Sequence, residues 1–145
     1  MPVLIDSNVL LRSLHPGHPH YAAAENSVAT VRLRNQDLCI APQTLIEFWA
    51  VATRPRDDNG LGLPPDRVAT ELMSLRRLFR LLPSTPDVLE AWQRIVLSHG
   101  VLGKQTHDAH LVAMMQVHSV TSILTFNVSH FERYPGIAVL NPAQI

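Results

Sequence analysis

Short, wholly apolar runs spaced by much longer helix-compatible stretches constrain this chain more than any other feature. Residues 3–5 (Val-Leu-Ile), 38–40 (Leu-Cys-Ile), 122–125 (Ser-Ile-Leu-Thr) and 137–140 (Ile-Ala-Val-Leu) read as strands, and Leu81-Leu82 as a further stub. Strands apolar at consecutive positions are buried on both faces, a pattern that belongs to parallel sheets covered by helices. Helices are expected over 21–34, from Pro42, from Pro65-Asp66, over 87–99 and over 106–117. Periodicity puts Ala24, Val28, Val31 and Ala22 inward on the first of these, and Leu45, Ile46, Trp49 and Ala52 on the second. Val68, Leu72, Leu75 and Phe79 form the inner stripe of the third, and Val88, Trp92, Ile95 and Val96 that of the fourth. Pro42 and Pro65 sit where a helix begins, because a first-turn residue needs no N–H. Residues 54–64, rich in turn formers and charges, read as a loop inside the domain. The expectation is an α/β fold on a mostly parallel sheet.

The 145 residues fit one domain spanning 1–145, and a chain of that size buries roughly 70% of its unfolded surface. It needs no staple to hold a core. The single cysteine, Cys39, excludes an internal disulfide framework and suits a reducing compartment. No apolar stretch approaches the twenty or so residues of a membrane span. The first residues reach Asp6 with neither a basic flank nor an extended apolar region, unlike a secretory signal. A cytoplasmic protein without membrane contact is expected. Twelve basic and twelve acidic side chains cancel, which argues against coating nucleic acid by bulk charge but leaves a local site open. The basic set holds one lysine, Lys104, and is otherwise arginine, the side chain that forks onto phosphate.

In an open parallel sheet the functional crevice lies at the carboxyl ends of the strands, so polar residues just after strands are the first candidates. Asp6 follows the first strand, where an ordinary helix N-cap is the competing explanation. Glu47 sits in the largely apolar segment Leu45-Ile46-Glu47-Phe48 and is either a half-exposed helix charge or a carboxylate that needs a partner. Asp108 stands in a first helical turn, where the macrodipole also favours an acid. Thr125 and Asn127 end a strand and are equally at home in a turn. Each reading is weak singly, yet the topology brings all of them to one sheet edge. Three carboxylates converging there would raise one another's pKa unless a divalent cation neutralised them. An all-oxygen donor set selects Mg²⁺ or Mn²⁺, and such an ion suits phosphodiester hydrolysis.

Asp6-Ser7-Asn8-Val9-Leu10-Leu11-Arg12, Leu45-Ile46-Glu47-Phe48, the segment 106–113 (Thr-His-Asp-Ala-His-Leu-Val-Ala) and the segment 125–131 (Thr-Phe-Asn-Val-Ser-His-Phe) together resemble the PIN-domain ribonucleases, specifically the VapC toxins of bacterial toxin–antitoxin pairs. The resemblance covers essentially the whole chain and lies in order and spacing. It implies a three-layer α/β/α sandwich with a short, mostly parallel central sheet. It implies that Asp6 and Asp108 ligate Mg²⁺ (or Mn²⁺), that Glu47 does so directly or through water, and that Thr125 is the hydroxyl at the end of the fourth strand. Asn127 occupies the place of a fourth acid, with His130 following; an asparagine orients water through its amide oxygen but adds no charge. The implied reaction is hydrolysis of an RNA phosphodiester in tRNA or ribosomal RNA, leaving a 5'-phosphate and a 3'-hydroxyl. Arg12, Arg54, Arg56 and Lys104, beside the acidic motifs, are candidates for holding flanking phosphates. A homodimer and a cognate antitoxin, bound in a groove of the early helices, are the implied partners.

The alternative is a catalytically weak PIN fold that binds RNA or protein, motivated by Asn127. A metal-independent nuclease using histidines as acid and base would leave a 2',3'-cyclic phosphate, and the sequence offers no evidently coupled histidine pair. Haloacid-dehalogenase phosphatases need an aspartate where Asn8 stands, and receiver domains need an acidic pair that Asp6-Ser7 does not supply. His15, His18 and His20 form a dense cluster, but no cysteine or carboxylate with ligand spacing completes a tetrahedral zinc set. A loop ahead of a helix is expected there.

Overall fold

The computed structural model describes residues 1–145. Five strands form one sheet: β1 (Val3–Ile5), β2 (Leu38–Ile40), β3 (Arg80–Leu81), β4 (Ser122–Leu124) and β5 (Ala138–Leu140). Their order is β3-β2-β1-β4-β5, and every pairing is parallel. The register sets Leu4 opposite both Cys39 and Ile123. Seven helices connect the strands: α1 (Ser7–Arg12), α2 (Tyr21–Leu33), α3 (Pro42–Thr53), α4 (Pro65–Leu78), α5 (Pro86–His99), α6 (Gln105–Val117) and α7 (Val128–Phe131).

Alternation along the strands divides the core into two layers, as a pleated backbone requires. Val3, Ile5, Leu38, Ile40 and Leu124 face α1–α4, where Leu10, Val31, Leu45, Phe48 and Val68 meet them. Leu4, Cys39 and Ile123 face the other way, onto Ile95 of α5, Val112 and Met115 of α6, and Phe131 of α7. The expected three-layer α/β/α sandwich is therefore present. No helix is long and apolar enough to cross a membrane.

Strand and helix bounds match the sequence reading within a residue or two, with three differences. The short helices α1 and α7 fall below the length at which apolar periodicity is legible. The inner face of α3 is rotated: Thr44, Leu45, Phe48 and Ala52 are buried, whereas Ile46 is 69% and Trp49 36% exposed. The α3 sequence is apolar nearly all round, so periodicity alone could not choose between adjacent stripes. Ile46 and Trp49 instead line an apolar cleft against Leu72 of α4 and Leu81. On α2, Ala22 lies in solvent while Ala24, Ser27 and Val31 form the buried stripe.

The loop expected over 54–64 is there, tightened by a single 3-10 turn at Arg56–Asp58. Gly60 is required in it, because a Cβ at this position would stand 1.9 Å from the Arg54 carbonyl oxygen.

Candidate active site

The strand order reverses direction between β1 and β4: the chain leaves β1 towards β2 and β3, and leaves β4 towards β5. At such a switch point the outgoing segments diverge and open a crevice at the carboxyl edge. Asp6 is the first residue after β1 and Thr125 the first after β4, and their strands are paired in register, Ile5 opposite Leu124.

Asp6 is 5% exposed and serves two purposes. Its Oδ1 accepts the Ser7 N–H at 2.8 Å, the N-cap contact that starts α1. Its Oδ2 accepts the Thr125 hydroxyl at 2.8 Å and the Asn8 amide at 3.4 Å. Thr125 Oγ1 in turn accepts the Asn8 amide at 3.2 Å and the Asn127 N–H at 3.0 Å, while Asn8 Oδ1 accepts the Phe126 N–H at 3.2 Å. Asn8 thus clamps the chain leaving β4 to the start of α1. Thr125 is fully buried, so its hydroxyl needs these partners.

Glu47 reaches the same edge from α3, held by two donors. Ser7 Oγ donates to its Oε2 at 3.2 Å, and Gln43, one turn earlier, donates to its Oε1 at 2.8 Å. Gln43 also donates to the His107 carbonyl at 2.8 Å, and its Oε1 lies 2.6 Å from His110 Nδ1. This one side chain ties α3 to α6 and brings Asp108 alongside. Asp108 pairs with His130 of α7 at 3.2 Å.

The electrostatics register the convergence. Burial pushes the Asp6 carboxyl up from 3.8 to about 6; the Thr125 hydrogen bond opposes this, while negative charge on Glu47 and Asp108 adds to it. Burial also raises Asp108, with Glu47 adding to the rise and His130 opposing it. Asp6 therefore senses both other carboxylates, and Asp108 senses Glu47. As placed, however, no three His, Cys, Asp or Glu side chains stand close enough together to grip a metal ion. Each carboxylate is drawn to different donors: Asp6 to Thr125 and Ser7, Glu47 to Gln43 and Ser7, Asp108 to His130. In kind and charge the three fit a hard divalent cation, since every available donor is a carboxylate oxygen.

Asn127 is exposed and joins the site through its backbone N–H on Thr125. The basic candidates are more dispersed. Arg12 ends α1, and its charge reaches His18. Arg54 caps α3, seven residues and so about 10 Å along the axis from Glu47. Arg56 lines a cleft with His15 and Arg67, and Lys104 is exposed just ahead of α6. None of the four forms an ion pair with the three carboxylates.

Sequence reasoning missed the side chains that hold these carboxylates: Ser7, Asn8, Gln43 and the His130 contact to Asp108. Of these, Gln43 alone carries a readable signal, its spacing of four residues before Glu47 on one helix.

The family model described as "PIN domain" matches residues 3–137. No curated protein matches the chain by sequence. Among solved structures, VapBC2 from Rickettsia felis, bound to a DNA fragment from its promoter, is 12% identical with a TM-score of 0.71 over 97% of this chain and 98% of that one. FitAcB from Neisseria gonorrhoeae is 20% identical with a TM-score of 0.67 over the whole of both chains, 100% each. VapC20 from Mycobacterium tuberculosis, a toxin that cleaves the sarcin–ricin loop, is 15% identical with a TM-score of 0.64 over 83% of this chain and 86% of that one. Its structural neighbours are thus toxin–antitoxin proteins of the VapBC kind, and with a matching model from Val3 nearly to the last strand the chain belongs to the PIN-domain family.

Proposed function

We propose that this protein is a Mg²⁺-dependent endoribonuclease toxin, with Mn²⁺ as a substitute ion, acting on structured RNA of the tRNA or ribosomal class and restrained by a cognate antitoxin. One observation carries the reading: Asp6, Glu47 and Asp108 come from three separate elements to the switch-point edge, where the Asp6 carboxyl is pushed to about 6 by burial and by the other two charges. A buried carboxylate beside two half-buried ones is costly without a counter-ion, and a divalent cation would offset that cost. The nuclease activity of the VapC20 neighbour supports the same direction.

Asp6 and Asp108, with Glu47 directly or through water, would hold a divalent cation, which would supply Lewis acidity to a phosphodiester and lower the pKa of a water. The chain's own residues prepare that place. Thr125 and Ser7 fix the Asp6 carboxylate, Gln43 and Ser7 fix Glu47, and His130 holds Asp108. Arg12, Arg54, Arg56 and Lys104 remain the candidates for holding flanking phosphates, on the strength of their positions beside the acidic motifs in the sequence.

The exposed Asn127, where a fourth acid is expected, favours a second reading, a catalytically weak fold that binds RNA or protein. Incubation of tRNA and ribosomal RNA with the protein separates the two. Cleavage with Mg²⁺, lost with EDTA and in Asp6→Ala and Asp108→Ala, and leaving 5'-phosphate ends, is the expected result. Intact RNA at every Mg²⁺ and Mn²⁺ concentration supports the binding module instead, and cyclic phosphate ends remove the metal reading.

Two grooves suit the proposed protein partners. One of about 290 Å³ runs between α1, α2 and α4, with Leu10, Leu14, Val28, Leu75 and Phe79 in its wall, and fits an apolar antitoxin segment. The other, about 560 Å³ beside Ile46 and Trp49, is a face that a second copy would cover.

A further inference from the structure

The histidine cluster ahead of α2 has no part in the acidic site, yet it leads to it. Phe126, immediately after Thr125, stacks on His20 with ring centroids 4.6 Å apart and planes at 10°. His20 meets His18 at 5.2 Å, and His18 meets His15 at 5.3 Å, each pair tilted by more than 50°. His15 then forms the wall of a cleft of about 490 Å³, together with Arg56 and Arg67 and no carboxylate. The four rings and the cleft make one continuous strip from the reactive edge outward. The turn itself is held by the His20 N–H donating to His18 Nδ1 at 3.0 Å and the His18 N–H donating to the His15 carbonyl at 2.9 Å, and it leaves His15 and His20 exposed to solvent. Burial, the Arg12 guanidinium and the two neighbouring imidazoles hold His18 below the usual histidine range.

We propose that the Phe126–His20–His18–His15 ladder and the Arg56–Arg67 cleft at its end form a track for single-stranded RNA leading away from the scissile position, with unpaired bases stacking on the solvent-exposed sides of His20 and His15 and a phosphate seated between the guanidiniums. Alternating aromatic faces and cationic seats is how single strands are held without base-specific readout. Duplex RNA cannot use it, since its bases are already stacked on one another. The track rests on the ribonuclease reading for its direction, but its binding does not require cleavage.

Fluorescence anisotropy in EDTA tests it, with a fluorescein-labelled RNA single strand of about a dozen nucleotides and a blunt duplex of the same sequence. Wild type binds the single strand more tightly than the duplex. His20→Ala weakens single-strand binding by about tenfold, while His20→Tyr, which keeps a stacking face, stays within about twofold of wild type. Arg56→Gln combined with Arg67→Gln flattens the dependence of log K on log salt by about one unit. The track is overturned if His20→Ala binds within about twofold of wild type, if His20→Tyr loses as much as His20→Ala, or if duplex binds as tightly as single strand. RNA cleavage with His20→Ala binding unchanged removes the track alone. Binding that depends on His20 without any Mg²⁺-dependent cleavage removes the nuclease reading alone.

Discussion

Replacing Asp6 with asparagine should stabilise the metal-free protein at neutral pH. A carboxyl raised from 3.8 to about 6 in the folded state binds a proton more readily folded than unfolded. Its ionisation therefore opposes folding: the cost is absent below the unfolded pKa, grows as pH rises from about 4 to about 6, and is complete above that. At neutral pH it amounts to about 3 kcal/mol. Asparagine is nearly isosteric with the protonated acid but cannot accept through both atoms. With its oxygen in the Oδ2 place it still accepts from Thr125 and Asn8, and its NH2 then faces the Ser7 N–H, which is mispaired at about 1 kcal/mol. The net gain of about 2 kcal/mol corresponds to a rise in Tm of about 6 °C for a chain of this length. Thermal melts of wild type and Asp6→Asn in EDTA, at pH values from 4 to 7.5 (about the span of the titration), measure it. The difference should be largest at the alkaline end, pass through zero on acidification and become a deficit approaching about 1 kcal/mol at the acid end, where only the mispaired donor remains. A variant that melts at or below wild type at neutral pH, or whose advantage grows on acidification, refutes the argument that Asp6 is held at an electrostatic cost.

Thr125→Val removes the hydroxyl that serves Asp6, Asn8 and the Asn127 N–H; it should lower stability by about 1–3 kcal/mol in chemical denaturation and depress cleavage more than Asn127→Ala does. Gly60→Ala drives a Cβ into the Arg54 carbonyl, and a loss of about 1–3 kcal/mol by the same measurement is expected, with weaker RNA binding because Arg56 and Arg67 share that loop cleft. Tyr134→Phe deletes a buried hydroxyl with no partner, so its denaturation midpoint should equal or exceed that of wild type.

How much of this was legible beforehand follows from what each signal depends on. The strands were readable because Val3–Ile5 and Leu38–Ile40 are buried on both faces and must be apolar at every position. The rotation of α3 was not, because Ile46 and Phe48 are equally apolar and only α4 and the sheet decide which is covered. Asp6, Asp108 and Thr125 stand at strand ends or a helix start, which are visible in the pattern, while Glu47 stands out as a charge in the apolar middle of α3; each is weak singly, and the expected topology and the family resemblance group them. Their holders could not: Ser7 reaches Glu47 across 40 residues of sequence, and Asn8 reaches Thr125 across 117, so those contacts exist only after the switch point has formed. The His15–His20 cluster was visible as composition, but its stacking on Phe126 was not.

The central claim is that Asp6, Glu47 and Asp108 share one divalent cation. Crystals equilibrated with Mn²⁺ and measured for anomalous scattering test it most directly. A single strong peak within coordinating distance of Asp6 and Asp108 oxygens, absent in Asp6→Ala crystals, is the expected result. Saturating Mn²⁺ with no peak at that edge, or with peaks only at other carboxylates, contradicts it.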